Sequence, residues 1–279
     1  MVRIITDSMS DITQQEAARL HIEVLPLTVR FGTEEYLDGV DLTLDDFYAR
    51  MQTVAELPKT SQITPGRFQT AFERNLKGSD EVVCITGSSK LSGTFQSALL
   101  ARSMCSCPER VFVVDSRSAA LGEAQLVFAA VNLREEDATA GDIAETLIAM
   151  RKRIQLVGMA EQLKYLVMGG RLNGVVGAIG TTLSIKPMLR LEGGLLHQAG
   201  LCRSMTRVKR WYIDQINACP PDPAYPVIVA GANCPDKVDE LCSALEAAGI
   251  RVTMKRDIGT VIGTYTGEGL TAVTWIPAE

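Results

Sequence analysis

Gly87-Ser88-Ser89-Lys90-Leu91-Ser92-Gly93-Thr94-Phe95-Gln96-Ser97-Ala98 is the stretch around which the chain is organised. The apolar, β-branched run Val82-Val83-Cys84-Ile85-Thr86 precedes it, and a helix-compatible stretch from Phe95 to Met104 follows. The order is strand, small-residue turn, helix start. Such a turn aims free backbone N–H groups and Ser and Thr hydroxyls at one point, where a carboxylate or phosphate can sit.

Working outward, the upstream half repeats the alternation. Val2–Thr6 reads as a strand leading into Thr6-Asp7-Ser8, with Asp11 as N-cap of a helix from Ile12 to about His21. Ile22–Phe31 reads as one strand carrying Pro26, which suits an edge or a bulge. Thr43 caps a helix near Leu44–Gln52, Lys59-Thr60-Ser61-Gln62 reads as a polar loop, and Thr64-Pro65 opens a helix to about Leu76. Beyond the opening stretch, Val111–Val114 ends at Asp115-Ser116-Arg117-Ser118, and helices follow near Ala120–Asn132 and Gly141–Arg153. This alternation implies a mostly parallel sheet covered on both faces. Thr6-Asp7-Ser8, Gly87–Ser92 and Asp115–Ser118 all leave strand carboxyl ends, the rim where open α/β sheets bind ligands.

The second half differs. Val157–Ala160 is a strand, Leu163–Met168 a helical turn, and Gly174–Ser184 a small-residue helix. Lys186–Leu191 and Leu195–Ala199 form a hairpin around Gly193-Gly194. A helix over Ser204–Ala218, a strand over Val227–Gly231, a helix from about Asp236 to Ala248 and a strand over Arg251–Lys255 continue the pattern. Gly259–Gly269 reads as a loop dense in Gly and Thr before a closing strand, Leu270–Ile276. The boundary falls near Arg153–Leu156, giving an α/β protein of two domains, 1–154 and 155–279.

Composition narrows the function. The 279 residues are 46% hydrophobic and 22% charged, enough for two ordinary globular cores. A net charge of −5 argues against a nucleic-acid binder. Met1-Val2-Arg3-Ile4-Ile5-Thr6-Asp7 lacks a signal-peptide layout, and the longest apolar run, Val175 to Ile185, is broken by Gly177 and Gly180 and falls short of the ~18 residues of a membrane span. The seven scattered cysteines then read as reduced thiols of a cytoplasmic protein. Cys105 and Cys107 have no second Cys or His pair nearby, so no metal is expected. Ser92 as a nucleophile lacks a motif-borne base, since the only histidines are His21 and His197. Phosphate-loop and dinucleotide motifs are missing too. Arg203, Arg207 and Arg210, spaced four and three apart, share a helix face. That is either a solvated face or a docking surface for an acidic partner or lipid head groups, the latter implying transient contact with a membrane surface.

Together the motifs resemble the DegV family, the bacterial fatty-acid-binding proteins that serve a fatty acid kinase. The match rests on Thr6-Asp7-Ser8, Lys59-Thr60-Ser61-Gln62 with Pro65-Gly66-x-Phe68, and Ser88-Ser89-x-Leu91-Ser92-Gly93-Thr94. It continues with Asp115-Ser116-x-Ser118, Leu163-x-Tyr165-Leu166-x-x-Gly169-Gly170-Arg171 and Ile185-Lys186-Pro187, and ends with Ile258-Gly259-x-x-Ile262-Gly263-Thr264-x-Thr266-Gly267. The resemblance implies a two-domain DegV-like fold, with a mostly parallel sheet covered by helices in the first domain and a mixed sheet with helices in the second. It implies an apolar tunnel between the domains holding one long-chain fatty acid, no cofactor, and no chemistry by this chain alone. A separate ATP-dependent kinase would make the acyl phosphate. It further implies that Thr60 and Ser92 hold the carboxylate, helped by their neighbours Ser61 and Gly93 and by Thr264 and Thr266 of the late loop. The family's third partner is a histidine, and here that position is Tyr265. A phenol donates one hydrogen bond but carries no positive charge near neutral pH. Arg171, Arg203 and Arg207 are candidates for partner docking or phosphate handling. The alternative is an enzyme acting on a small carbonyl compound, like the substrate domain of dihydroxyacetone kinases.

Overall fold

The computed structural model describes residues 1–54, 56–173 and 185–278. The small-residue helix expected over Gly174–Ser184 lies outside them. The first half runs β1 (Val2–Asp7), α1 (Gln14–Leu20), β2 (Glu23–Leu25), β3 (Thr28–Phe31), β4 (Glu34–Leu37), α2 (Leu44–Thr53), β5 (Lys59–Ser61), α3 (Pro65–Asn75), β6 (Glu81–Thr86), α4 (Thr94–Ser103), β7 (Val111–Asp115), α5 (Leu121–Glu135) and α6 (Ala140–Met150). The second runs β8 (Gln155–Met159), α7 (Lys164–Met168), β9 (Leu172–Asn173), β10 (Lys186–Glu192), β11 (Leu195–Cys202), α8 (Met205–Ala218), β12 (Ile228–Gly231), α9 (Pro235–Ala247), β13 (Met254–Asp257), α10 (Thr260–Thr266) and β14 (Thr271–Trp275).

The opening stretch sits at the carboxyl end of β6, as its residue order requires. Strands β2-β1-β6-β7 form an all-parallel sheet. Alternate side chains go to opposite faces. Ile5, Val82 and Cys84 pack with Phe68, Phe72, Ala98 and Ala101 of α3 and α4. Ile4, Val83 and Ile85 pack with the helices on the other side, including Leu126 and Val127 of α5 and Ile143 and Leu147 of α6. Because β2 and β6 flank β1, the winding direction reverses beside it. Such a switch point opens a crevice at the strand ends.

The seven-stranded sheet is mixed, in the order β13-β12-β14-β8-β10-β11-β9. One face carries α8 and α9, through Val208, Tyr212, Ile216, Leu241 and Leu245. From the opposite face Leu156, Leu189, Ile228 and Ala272 join the same apolar cluster as Ile5, Phe68 and Phe72 of the first half. The Gly193-Gly194 hairpin turn, both residues at positive φ, reaches the opening stretch: Ser88 Oγ donates to the Gly194 carbonyl at 2.7 Å.

Several local expectations change. Pro26 divides Ile22–Phe31 into β2 and β3, which lie in different sheets. Residues 59–61 form a strand, not a loop, because β3 offers them an edge; β4-β3-β5 is a small antiparallel sheet. Asp11 is not an N-cap. Thr13 caps α1, while Asp11 sits in the left-handed region with φ 53°. Residues 260–266 of the expected late loop are helix α10. Arg203 precedes Ser204, the N-cap of α8, so it lies outside the helix and the three arginines form no single helical stripe.

Candidate functional site

The turn after β6 is largely satisfied from within. Asp7, ending β1, accepts the Gly87 N–H at 2.9 Å and the Met9 N–H at 2.8 Å. Burial pushes its carboxyl up to about 6, against the pull of those two N–H groups. Asp115, ending β7, accepts from the Ser89 N–H at 3.0 Å and from Ser89 Oγ at 2.6 Å. The first half of the turn is thus no open anion nest, since two carboxylates of the protein already use it. Ser92 is what remains toward the interior. Its Oγ lies 2.9 Å from Thr94 Oγ1 and accepts the Thr94 N–H at 3.3 Å.

Ser92 lines a cavity of about 110 Å³ between the two halves. Met9, Leu27 and Leu91 contribute from the first half, and Leu156, Leu166, Leu189, Val261 and Leu270 from the second. The polar lining is Thr60, Ser92, Arg171, Tyr265 and Thr266. The first four are half-buried, whereas Leu27, Leu156, Leu166 and Leu189 are buried. Thr60 touches Tyr265, Arg171 lies over the Tyr265 ring, and Arg171 reaches the carbonyl of Leu91 beside Ser92, so these four polar groups lie together.

Each arrives by a local device. Strand alternation turns Thr60 inward and leaves Ser61 exposed and off the cavity. Thr60 Oγ1 lies 2.6 Å from the Tyr265 phenol oxygen. Tyr265 rides on α10, whose start is fastened by two buried carboxyls: Asp11 Oδ1 accepts the Gly259 N–H at 3.0 Å and Asp38 Oδ1 accepts from Thr260 Oγ1 at 2.6 Å. Burial raises both carboxyls above the usual range. Thr264 and Thr266 turn their hydroxyls back to the Thr260 and Ile262 carbonyls, at 2.8 and 3.1 Å. Thr264 stays off the cavity, and Thr266 lines it.

Arg171, a candidate for partner docking or phosphate handling, lines the cavity itself. Its guanidinium carbon sits 4.5 Å from the Tyr265 ring centroid, and its Nε donates to the Leu91 carbonyl at 3.3 Å. Gly93 does not line the cavity; a Cβ there would overlap the Gln62 side chain, which donates to Ser97 Oγ at 2.8 Å. The sequence motifs include Gln62 and imply an apolar tunnel, but they single out neither the role of Gln62 nor the individual apolar lining residues. Arg203 and Arg207 are exposed and off the cavity, and Arg210 faces Asp214 at 3.6 Å. Neither histidine lines the cavity, so no imidazole is on hand to activate Ser92. Among the described residues, no three His, Cys, Asp or Glu side chains are grouped to hold a metal, and no helix is long and apolar enough to cross a membrane.

Fold and cavity define a class: an α/β protein with an apolar pocket between its halves, whose lining includes a group of hydroxyls and a guanidinium. That arrangement suits a molecule with an apolar body and a polar or anionic end. The chain belongs to the DegV family, whose model matches residues 1–278. It is 35% identical over 271 residues to a DegV domain-containing protein of Caldanaerobacter subterraneus, covering 95% of each chain. It is similar to a Thermus thermophilus DegV family protein whose structure is described for fatty acid binding, with a TM-score of 0.91, 29% identity and 99% of each chain covered. It is also similar to DegV of Bacillus subtilis, described as a fatty acid binding protein, with a TM-score of 0.84, 27% identity and 99% of each chain covered.

Proposed function

We propose that the protein binds one long-chain fatty acid and presents its carboxylate to a separate ATP-dependent kinase in the cytoplasm, transforming nothing by itself. In this proposal residues 1–154 carry the head-group loops and residues 155–279 complete a tunnel for the acyl chain. The observation that carries it is the cavity, mostly apolar in its lining, with Thr60, Ser92, Tyr265 and Arg171 grouped together. The fatty-acid-binding descriptions of the Thermus and Bacillus relatives support it. Burying an acyl chain gains about 0.8 kcal/mol per CH₂, so the chain supplies affinity and the hydroxyls need only orient the head. An apolar lining suits an acyl chain better than the small carbonyl compound of the alternative.

Mass spectrometry of lipid extracted from natively purified protein tests this. The expected result is about one acyl chain per protein; finding none, together with no uptake of added fatty acids, overturns the proposal. Exposed Arg203 and Arg207 are the proposed docking contacts for the kinase, or for a transient approach to a membrane surface. Arg203→Glu is then expected to leave lipid uptake intact and to abolish acyl-phosphate formation with a cognate kinase. Unchanged formation would return these arginines to a plain solvated face.

A further inference from the structure

Tyr265 makes two contacts of different chemistry. Its phenol and the Thr60 hydroxyl share one hydrogen bond of 2.6 Å. That bond uses one of the pair's two hydroxyl protons and leaves one free to donate. A free hydroxyl proton serves an alcohol oxygen and a carboxylate alike. It contributes to holding a head group but discriminates weakly by charge. The charged group among the polar lining residues is Arg171.

The second contact concerns that cation. The Arg171 guanidinium lies over the Tyr265 ring, 4.5 Å from its centroid. In its own plane the guanidinium donates to the Leu91 and Gly169 carbonyls. The carbonyls take N–H groups at the edge, and the ring supports the flat face. The platform is built for this. A Cβ on Gly169 would overlap Cδ1 and Cε1 of Tyr265, so only glycine lets the ring lie against the segment that carries Arg171.

We infer that Tyr265 is a positioning residue for Arg171, and that its ring, rather than its phenol, sets the preference of the cavity for anionic over neutral head groups. The inference rests on the acyl-binding proposal. It divides Tyr265 into a hydroxyl that helps any oxygen head group and a ring that keeps the cation where only an anion benefits.

Competition binding of oleic acid and oleyl alcohol separates the two roles, because the chains match and only the head groups differ. The wild-type protein, Tyr265→Phe and Tyr265→Leu are compared, each checked by circular dichroism. Phenylalanine keeps the ring. It is expected to weaken both ligands while holding the acid-to-alcohol affinity ratio within about twofold of wild type. Leucine removes the ring and is expected to lower the ratio roughly three- to thirtyfold, the range of a cation–ring contact from exposed to desolvated. Gly169→Ala, which displaces the ring from outside, is expected to lower the ratio in the same direction and stands in if the leucine variant fails to fold. A merely structural role would weaken acid and alcohol equally. A ratio unchanged in both Tyr265→Leu and Gly169→Ala, or lost as fully in Tyr265→Phe as in Tyr265→Leu, overturns the inference while leaving acyl binding standing. A wild-type protein that binds neither ligand overturns the acyl-binding proposal, and this inference with it.

Discussion

At the scale of single residues, Thr60 holds the Tyr265 phenol at 2.6 Å and borders the cavity. Thr60→Val keeps the branched shape and removes the hydroxyl. Hydrogen bonds to charged groups are worth about 1.5–3 kcal/mol, so fatty-acid affinity should fall roughly ten- to hundredfold by titration calorimetry. The phenol left behind is half-buried and can turn to water, so the ligand-free melting temperature should move little. An unchanged affinity would remove Thr60 from the head-group site. Thr60, Ser92 and Tyr265 lie far apart in the chain, and no local spacing links them. In the sequence, only the family resemblance connects them. Ser61 and Thr264 looked equally eligible in the sequence. Geometry separates them: strand alternation turns Ser61 outward, and Thr264 spends its hydroxyl on its own helix.

At the scale of elements, α10 was hardest to read. Thr260-Val-Ile-Gly-Thr-Tyr-Thr266 is composed of weak helix formers. The helix forms because tertiary partners fasten it, Asp11 and Asp38 at its start and Tyr48 and Phe47 along its flank. A Cβ on Gly263 would lie 2.7 Å from the Tyr48 phenol oxygen and 2.9 Å from Phe47 Cε1. Gly263→Ala therefore sets a propensity gain of ~1 kcal/mol against overpacking of about 1–3 kcal/mol. Overpacking should win, because both rings are buried. The expected result is a melting temperature lower by a few degrees and weaker fatty-acid binding, since Tyr265 follows two residues later. A rise in melting temperature would show that α10 has slack. Strand β5 was obscured for a related reason. Lys59-Thr60-Ser61 carries no apolar signal, and only the β3 edge makes it a strand. The α/β alternation of the first half, by contrast, was legible because β1, β6 and β7 are apolar runs ended by turn residues.

At the scale of the whole molecule, Asp7, Asp11, Asp38 and Glu123 are four of the buried acids. Burial raises all four. A carboxyl that keeps its proton longer when folded stabilises the folded state at low pH. That stability is lost as pH climbs from the unfolded value, about 4, through the folded one. For Asp7, raised to about 6, the loss is on the order of 3 kcal/mol. Melting temperature is expected to drop by several degrees between about pH 4.5 and 7.5 in a thermal scan. A flat or rising profile would mean these acids are not held as the fold holds them.

The apolar cluster that joins the halves has one further consequence. It runs from Ile5 and Phe72 to Ile228 and Ala272, with the cavity inside it. An acyl chain seated there would act as a detachable piece of the hydrophobic core, bridging both halves as a buried side chain does. Loading would then harden the protein against heat by an amount that grows with free ligand. Cargo status would be written into the mechanical firmness of the carrier.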